Sequence, residues 1–385
     1  IIYMLKRKII VTTGTRADYG LLRPVLNKIQ TSKNLDLVLI VTGMHLSQKY
    51  GLTINEIKKD GFKISASFNM IPKQNSKYSV AEILGNSIVE FSKIFKKFQP
   101  DINIILGDRD EMLASAISAY HMNIPNAHIH GGDRSGGLDE YTRHAITKMS
   151  NIHFASSQKS KNRILKMGEN PKYVFFTGSP AIDEVKHAQI TSKKILESKY
   201  NFKFSGNEIL FVQHPVTTQV ENTKNQINNL LKAIQIINKP VIAVSPNSDA
   251  GSNIIFKYLE MFSKSHPSFM LFKSFPRSDY LGMLKNCKML VGNSSSGIIE
   301  SSYFKIPVVD VGIRQNNREK GPNVLHVDAN SSISIHNKLV KALEMKKQHL
   351  SITSIYGNGN AAKKIIKYLE TIKLNPELIE KQILY

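Results

Sequence analysis

Apolar residues along the chain form short continuous runs separated by stretches with helical spacing, and the clearest example lies near residue 110. The runs at 102–106 and 124–129 are strand-like, and each ends in a polar turn that carries carboxylates. Between them, Met112, Ala116 and Ala119 recur at helical spacing. The segment therefore predicts a strand, a helix and a second strand, the unit from which parallel sheets are built.

The polar turns after these two strands carry the first candidate chemistry. In a parallel α/β sheet the carboxyl ends of successive strands meet at one edge, where ligands bind. We therefore expect four ionisable side chains at one rim: Asp108, His130, Asp133 and Asp139. Such a group favours proton-transfer chemistry. The alternative is that the aspartates cap helices and that His130 makes a local hydrogen bond.

The same alternation of strands and helices continues through most of the chain. It predicts two successive doubly wound, Rossmann-like α/β domains, residues 1–182 and 183–365, which face each other across a cleft. A C-terminal helical segment, about residues 366–385, is expected to pack back on the first domain. Other predicted strands lie at 8–13, 35–41, 152–156, 173–177, 209–213, 240–245, 268–272, 288–291, 306–310 and 323–327.

The turn after the first predicted strand is a candidate anion site. It covers residues 14–20 and leads into a helix in which Pro24 is expected to occupy the first turn. A helix N-terminus attracts anions, and the Arg16 guanidinium matches a phosphate. The turn lacks the GxGxxG pattern, which argues against a dinucleotide site. The alternative is an ordinary connection with Arg16 in a surface salt bridge.

A second candidate turn lies in the C-terminal half, after the buried run at 288–291. Ser294, Ser295, Ser296 and Gly297 are small residues at a predicted helix N-terminus, where backbone amides and the helix dipole favour a phosphate. Glu300, about one turn into the helix, could accept hydrogen bonds from two ribose hydroxyls. The alternative is a serine N-cap with Glu300 in a capping interaction.

Three further candidates follow predicted strands of the second domain. His214 ends the strand at 209–213, Phe275 could offer an aromatic surface to a base, and Arg314 could add positive charge to the same rim. For each there is a structural alternative: a backbone-bound histidine, a core phenylalanine and a solvated arginine.

Composition narrows the class of protein. Hydrophobic residues make up 41% of 385, and the single cysteine, Cys287, excludes an intrachain disulfide and a cysteine-based zinc cluster. No apolar run approaches the roughly 20 residues that span a bilayer, and the N-terminal residues show no cleavable signal, so we expect no membrane partner and a cytoplasmic protein. The net charge of +22 comes from dispersed lysines without a nucleic-acid motif. It favours an anionic nucleotide ligand over a nucleic acid.

Taken in chain order, several motifs resemble one enzyme family. GTRADYGLLRP, TGMHLSQKYG, ILGDRDE, HIHGGDRSGGLDEYTRH, GSP, QHPVT and GNSSSGIIE are similar to the hydrolysing UDP-N-acetylglucosamine 2-epimerases of sialic-acid-type and legionaminic-acid-type sugar biosynthesis. The resemblance covers residues 7–372. TGMHLS and GGLDEYTRH differ from the matching stretches of the non-hydrolysing epimerases, which share the fold, and favour the hydrolysing branch.

The resemblance implies a fold, a substrate and a reaction. It implies a GT-B-like pair of domains, a UDP-linked sugar in the cleft, no metal or other cofactor, and a homodimer or homotetramer. UDP would leave as C2 loses its proton, giving a glycal, and water addition would release an N-acetylmannosamine-type sugar inverted at C2. The substrate could be UDP-N-acetylglucosamine or a UDP-2,4-diacetamido-trideoxyhexose. A non-hydrolysing epimerase, a GT-B glycosyltransferase and a nucleotide-sugar sensor are alternatives.

The resemblance also implies roles for particular residues. Asp108 and Asp139 match active-site carboxylates, and Asp133 stands where many relatives have glutamate. We hypothesise that Asp108 is the proton-transfer base and that Asp133 and Asp139 support the cationic centre and protonate C2 or orient water. The other matched positions are an active-site histidine, His214, and the nucleotide-binding residues Arg16, Ser295, Ser296 and Glu300.

Overall fold

A computed structural model describes residues 6–72, 77–134, 138–246, 251–345 and 355–384. The chain divides into two compact units: the first contains Ile1–Glu184 and Tyr356–Tyr385, and the second contains Val185–Ile355. Each is a parallel α/β unit, which confirms the predicted fold class. Among the described residues, no helix combines the length and apolar character needed to cross a bilayer.

The first unit is built on a seven-stranded parallel sheet with the strand order β3-β2-β1-β4-β5-β6-β7. Its order reverses between β1 and β4, which makes their carboxyl ends a topological switch point, the usual ligand site of such sheets. The strands are β1 (Arg7–Thr13), β2 (Leu35–Thr42), β3 (Ile64–Phe68), β4 (Ile102–Leu106), β5 (Asn126–Ile129), β6 (Ile152–Ala155) and β7 (Val174–Phe176). The helices along this part of the chain are α1 (Arg16–Thr31), α2 (Ile54–Lys59), α3 (Lys77–Phe98), α4 (Asp110–His121), α5 (Leu138–Lys148), α6 (Gln158–Lys166) and α7 (Pro180–His187).

The second unit repeats this winding with six parallel strands in the order β10-β9-β8-β11-β12-β13. Its switch point lies between β8 and β11. The strands are β8 (Ile209–Val212), β9 (Val241–Val244), β10 (Phe269–Phe272), β11 (Met289–Gly292), β12 (Val308–Val311) and β13 (Val324–Val327). The helices are α8 (Lys193–Tyr200), α9 (Thr223–Ile237), α10 (Ser252–Ser265), α11 (Arg277–Asn286), α12 (Ser295–Phe304) and α13 (Ser332–Glu344).

Helix α1 begins further before Pro24 than the sequence predicted. Thr15 caps it, and Asp18 closes the capping box, so the helix starts at Arg16 and Pro24 lies inside it. The expectation that Pro24 occupies the first turn was wrong. Because proline has no backbone N–H, the carbonyl four residues earlier loses its helical partner within α1.

The C-terminal residues of the chain return to the first unit through α14 (Ala361–Thr371) and α15 (Pro376–Ile379). Helix α14 shares a buried core with α1 and the sheet. Both oxygens of Asp183 cap α14 by accepting from the amides of Ala361 and Ala362, each at 2.8 Å. The ring of Tyr368 stacks on Phe175 with centroids 3.8 Å apart.

The buried carboxylate of Glu169 binds the C-terminal segment to the first unit through Lys381. Glu169 is bound by Lys148 Nζ at 2.6 Å, Lys381 Nζ at 2.7 Å and His153 Nε2 at 3.1 Å. Burial alone would raise the pKa of Glu169, but the bonds and charge of His153 and the two ammonium groups lower it to about 2. The C-terminal segment is therefore held by an ionised, almost fully buried group.

Candidate active site

Asp108 and Asp139 lie at the switch point of the first unit. Asp108 follows β4, and a salt bridge joins its Oδ2 to the buried guanidinium of Arg143 on α5. Asp139 lies one turn earlier on the same helix. Partial desolvation and the neighbouring Asp108 carboxylate raise the pKa of Asp139, despite the opposing effect of Arg143. The site thus contains one carboxylate paired with arginine and one that holds its proton more readily.

Asp133 is held differently from the other two aspartates. Its Oδ1 accepts hydrogen bonds from the hydroxyls of Ser156 and Ser160, each at 2.6 Å. Burial raises the pKa of Asp133, but nearby His130, Arg143 and the two hydroxyls outweigh this effect and lower it. Asp133 is therefore an ionised group bound within the protein, an arrangement suited to orienting neighbours rather than to exchanging protons.

His130 is buried beside Asp133 in a sparsely populated backbone conformation. Its φ is 65°, in the left-handed region that non-glycine residues seldom adopt. Its Nε2 lies 2.9 Å from Ser179 Oγ, its Nδ1 lies 3.7 Å from Asp133 Oδ2, and its carbonyl accepts from Arg143 Nη1 at 3.0 Å. Asp108, His130 and Asp133 are thus joined through Arg143 and the strand ends, as their sequence positions predicted.

The turn after β1 differs from the predicted anion site. The amides of Gly14 and Thr15 donate to Asp18 Oδ2, at 3.2 and 3.0 Å. They are therefore engaged inside the protein, because Asp18 takes the place at the helix N-terminus that the prediction gave to a phosphate. Burial raises the pKa of Asp18 to about 6. Arg16 is exposed and forms a 3.3 Å ion pair with Glu56, which matches the surface alternative.

Three charged residues near this edge were not predicted as site residues: Arg143, Arg109 and Glu111. Arg109 donates to the buried Glu111 through Nε at 3.1 Å and Nη2 at 3.2 Å, and its side chain is 41% exposed. A Cβ added to Gly14 or Gly43 would lie 2.7 or 2.6 Å from Glu111 Oε1. The GDRDE motif contains Arg109 and Glu111, but only the fold shows that glycines from two other turns make room for the carboxylate.

Asn293 links three turns at the switch point of the second unit. Its side chain accepts from the His214 amide at 2.7 Å and donates to the His214 carbonyl at 2.8 Å. Its own carbonyl accepts from Gln315 Nε2 at 3.0 Å and lies 3.4 Å from Arg314 Nη1. His214, after β8, and Arg314, after β12, thus lie on either side of the turn after β11, and Asn293 in that turn, which the sequence did not single out, contacts both.

The small-residue turn after β11 is shaped by two glycines. Gly292 has a φ of 129°, and a Cβ there would lie 2.0 Å from the Val212 carbonyl oxygen. Gly297 lets α12 pack against β11 and β12, since a Cβ would lie 3.0 Å from Leu290. Ser294 caps the helix by accepting from the Ser296 amide. This is the predicted serine cap, with Ser295 as the first helical residue.

Glu300 is buried within α12 and faces an arginine. Arg277 donates to it with both terminal nitrogens, Nη1 to Oε2 at 3.0 Å and Nη2 to Oε1 at 2.8 Å. The capping alternative for Glu300 is wrong, because the Ser294 hydroxyl binds Ser296 and the Glu300 carboxylate binds Arg277.

Phe275 belongs to an aromatic cluster. Its ring lies 5.0 Å from Tyr200 in an edge-to-face arrangement and 4.9 Å from Phe272. The half-buried ring contacts a hydrophobic core, as the structural alternative predicted, and its proposed use as a surface for a base has no support in these contacts. The sequence could not distinguish the two, since a phenylalanine after a strand suits both.

The described part of the chain contains no group of three or more histidine, cysteine, aspartate or glutamate side chains arranged to hold a metal ion. Asp108 is paired with Arg143, and Asp133 contacts Ser156, Ser160 and His130. This arrangement can bind a polar substrate and move protons.

Comparison with known proteins identifies the family. Residues 27–370 match the UDP-N-acetylglucosamine 2-epimerase family. UDP-N,N'-diacetylbacillosamine 2-epimerase (hydrolyzing) of Legionella pneumophila is 39% identical over 97% of this chain and 98% of its own. GDP/UDP-N,N'-diacetylbacillosamine 2-epimerase (hydrolyzing) of Campylobacter jejuni is 36% identical over 94% and 95%.

The fold is also that of a solved relative. A crystal structure of UDP-GlcNAc 2-epimerase from Neisseria meningitidis bound to UDP-GlcNAc superposes with a TM-score of 0.79 at 20% identity, covering 94% of this chain and 99% of that chain. Sequence and fold agree with the resemblance carried by the motifs, and the chain belongs to the UDP-N-acetylglucosamine 2-epimerase family of enzymes.

Proposed function

We propose that this enzyme hydrolyses a UDP-linked 2-acetamido sugar, releasing UDP and the free sugar inverted at C2. The observation that carries the proposal is the pair of unlike carboxylates at the first switch point, Asp108 bound to Arg143 and Asp139 with a raised pKa. Groups whose environments differ in this way are suited to act as base and acid. The names of the Legionella and Campylobacter relatives support the same reaction.

The chemistry requires the leaving group to help the base. A C2 proton next to an unactivated C1 is a very weak acid, so a carboxylate alone cannot remove it. As the bond from C1 to the UDP oxygen breaks, positive charge develops at C1 and acidifies C2. Loss of the proton then gives a glycal with a C1–C2 double bond. Water adds its oxygen to C1, and a proton is delivered to the opposite face of C2.

The contacts of the aspartates suggest a division of roles. We assign removal of the C2 proton to Asp108, whose charge the Arg143 guanidinium balances. We assign delivery of the new C2 proton to Asp139, the neighbouring carboxylate, whose pKa is raised by partial desolvation and by Asp108. Asp133 is better suited to orient His130, since serine hydroxyls already bind its carboxylate. This differs from the hypothesis based on the sequence, in which Asp133 shared with Asp139 the support of the cationic centre and the protonation of C2 or orientation of water.

In this proposal, residues of the second unit hold the nucleotide. The capped N-terminus of α12, from Ser294 to Gly297, would bind the diphosphate, and Glu300 would bind the ribose. Preorganised dipoles of this kind stabilise the charge of a leaving group. His214, Arg314 and Arg16 would assist at the diphosphate, and Arg16 would have to leave Glu56 to do so.

For the sugar, we propose a UDP-2,4-diacetamido-2,4,6-trideoxyhexose. The relatives that share 39% and 36% of their residues with this chain are both named for N,N'-diacetylbacillosamine. Relatives named for N-acetylglucosamine or polysialic acid synthesis share 32% or less. The two candidate sugars differ from each other at C4 and C6, whereas the proposed bond changes take place at C1 and C2.

Proton NMR in deuterated buffer tests the proposal directly. Purified protein is incubated without an acceptor with UDP-N-acetylglucosamine, UDP-N,N'-diacetylbacillosamine and the GDP form of the latter. We expect release of UDP, deuterium at C2 and inverted C2 configuration, fastest with the UDP-diacetamido sugar. Release of UDP with unchanged C2 configuration and no deuterium would exclude a 2-epimerase. An acceptor requirement would instead indicate a glycosyltransferase.

Variants at the two ends of β4 test the assignment of the base. Asp108→Asn should abolish turnover while UDP still binds. Asp101→Asn is the matched control, because Asp101 lies at the opposite end of the same strand and accepts only from the Lys8 amide among the described hydrogen bonds. UDP release by Asp108→Asn near the unmodified rate would rule out Asp108 as the base.

A further inference from the structure

The guanidinium of Arg277 and the carboxylate of Glu300 form a two-point contact between α11 and α12. The distances are 3.0 Å and 2.8 Å, and each terminal nitrogen faces a different oxygen. The Glu300 side chain is 11% exposed and that of Arg277 is 36% exposed. A paired, bidentate contact fixes both the position and the plane of a carboxylate, which a lysine ammonium cannot do.

Two side chains on one face of α11 contact two side chains on one face of α12. Arg277 and Tyr280 are three residues apart on α11 and contact Glu300 and Ser296, which are four residues apart on α12. These spacings place each pair on one side of its helix. Arg277 and Tyr280 therefore contact α12 from the same face of α11.

Helix α11 is itself anchored away from this surface. Asp279, which lies between Arg277 and Tyr280 in the sequence, accepts from Lys199 Nζ and from the Tyr200 hydroxyl, each at 2.6 Å. It also accepts from the Thr191 hydroxyl at 2.5 Å. Because α11 is fixed on this side, Arg277 can hold Glu300 in one orientation.

The contact leaves Glu300 able to bind a second partner. An ionised carboxylate has about four acceptor positions, and a bidentate arginine uses one on each oxygen. The arginine also balances the negative charge of Glu300, which would otherwise repel an anionic nucleotide. A paired glutamate can thus accept from hydroxyl donors of a ligand that carries phosphates.

We propose that Arg277 is a positioning residue that sets the enzyme's selectivity for a ribonucleotide. By fixing Glu300, it aims the free acceptor positions of the carboxylate at the ribose hydroxyls. Without it, the Glu300 carboxylate no longer holds a defined orientation. The inference rests on the proposed function, in which Glu300 binds the ribose, and it adds a residue outside the nucleotide-binding turn.

Calorimetry with UDP and 2'-deoxy-UDP tests this role, because the ratio of the two dissociation constants measures the hydroxyl contact. We expect the unmodified enzyme to bind UDP more tightly by on the order of tenfold to a hundredfold, the range for a hydrogen bond to a charged group. In Arg277→Gln the ratio should fall close to one. In Arg277→Lys, which keeps the charge but not the paired geometry, it should be intermediate.

Arg23→Gln is the matched control. It removes an arginine–carboxylate pair of the first unit, with Asp60, without touching Glu300 or the two helices that position it. Its ratio should equal that of the unmodified enzyme, and circular dichroism should show all variants folded. If Arg277→Gln is unstable, Arg277→Lys alone decides, since a purely structural role predicts an unchanged ratio.

Other results would overturn the inference in distinguishable ways. A preserved preference in both Arg277 variants would show that Arg277 does not position the ribose contact. Equal binding of UDP and 2'-deoxy-UDP by the unmodified enzyme would remove the ribose contact itself, while C2 inversion and UDP release could still establish the reaction. If the unmodified enzyme did not bind UDP at all, both the positioning role of Arg277 and the proposed reaction on a UDP-linked sugar would be overturned.

Discussion

Replacing Glu169 by glutamine should destabilise the first unit in a manner that depends on pH. Glutamine keeps the shape of the side chain but removes the charge that His153, Lys148 and Lys381 surround. The pKa of Glu169 is lowered from 4.5 to about 2. At 1.36 kcal/mol per unit, this corresponds to about 3 kcal/mol of stabilisation at neutral pH.

The sign of the pH dependence follows from the direction of the shift. Because the folded pKa lies below the unfolded value, the stabilisation is fully present above about pH 5 and is lost as the pH falls towards 2. The linkage relation gives a loss of about 1 kcal/mol at pH 4 and about 2 kcal/mol at pH 3. The difference between the unmodified protein and Glu169→Gln should shrink by these amounts.

Urea denaturation at pH 7, 5, 4 and 3 measures that difference. Hydrogen exchange of peptides spanning β6 assigns the transition to the first unit. Glu377→Gln is the control, because Glu377 pairs with Lys172 at the solvent-exposed surface of the same C-terminal segment, where water screens the pair, so this variant should change stability far less than Glu169→Gln does. A difference for Glu169→Gln that stays constant from pH 7 to pH 3 would refute the reasoning.

Three further substitutions probe the two switch points, and a fourth, Gly20→Ala, serves as a control within α1. Arg143→Met should cost about 3 kcal/mol of stability in urea denaturation because it leaves the partly buried Asp108 unpaired, and the double variant with Asp108→Asn should cost less than the sum of the two. Asn293→Ala should cost about 2 kcal/mol in urea denaturation through two lost hydrogen bonds to His214, and calorimetry should show weaker UDP binding because His214 is proposed to assist at the diphosphate. Gly292→Ala should prevent folding, as judged by soluble yield and circular dichroism, because its Cβ would overlap the Val212 carbonyl oxygen. Gly20→Ala should raise the free energy of unfolding by up to about 1 kcal/mol, because nothing lies within 4 Å of the added Cβ.

The periodicity of apolar residues was sufficient to predict the fold class. Continuous β-branched runs separated by helical spacing give parallel strands with crossover helices, and the ends of such strands must meet at one edge. The sequence therefore indicated Asp108 after β4 and His214 after β8 as rim residues. It could not show that Pro24 lies within α1, because the start of that helix depends on how Asp18 folds back on the turn.

Contacts between distant residues explain most of what the sequence left open in the site. Asp108 pairs with Arg143, 35 positions later, and Glu300 pairs with Arg277, 23 positions earlier. Neither arginine belongs to the motif that contains its partner. A motif shows which side chains occupy a turn, whereas the elements packed against that turn determine their orientation and charge.

Asp133 shows how such contacts change the chemistry expected from a residue type. As a carboxylate in a glycine-rich turn it was assigned, together with Asp139, to support the cationic centre and to protonate C2 or orient water. Ser156, at the end of β6, and Ser160, in α6, both donate to its Oδ1 at 2.6 Å. Proton donation would break these bonds or require a carboxylic acid to accept them, so the serines oppose protonation. Because β6 and α6 supply these two hydroxyls, the sequence of the turn alone could not show that the Asp133 carboxylate is held in its ionised form.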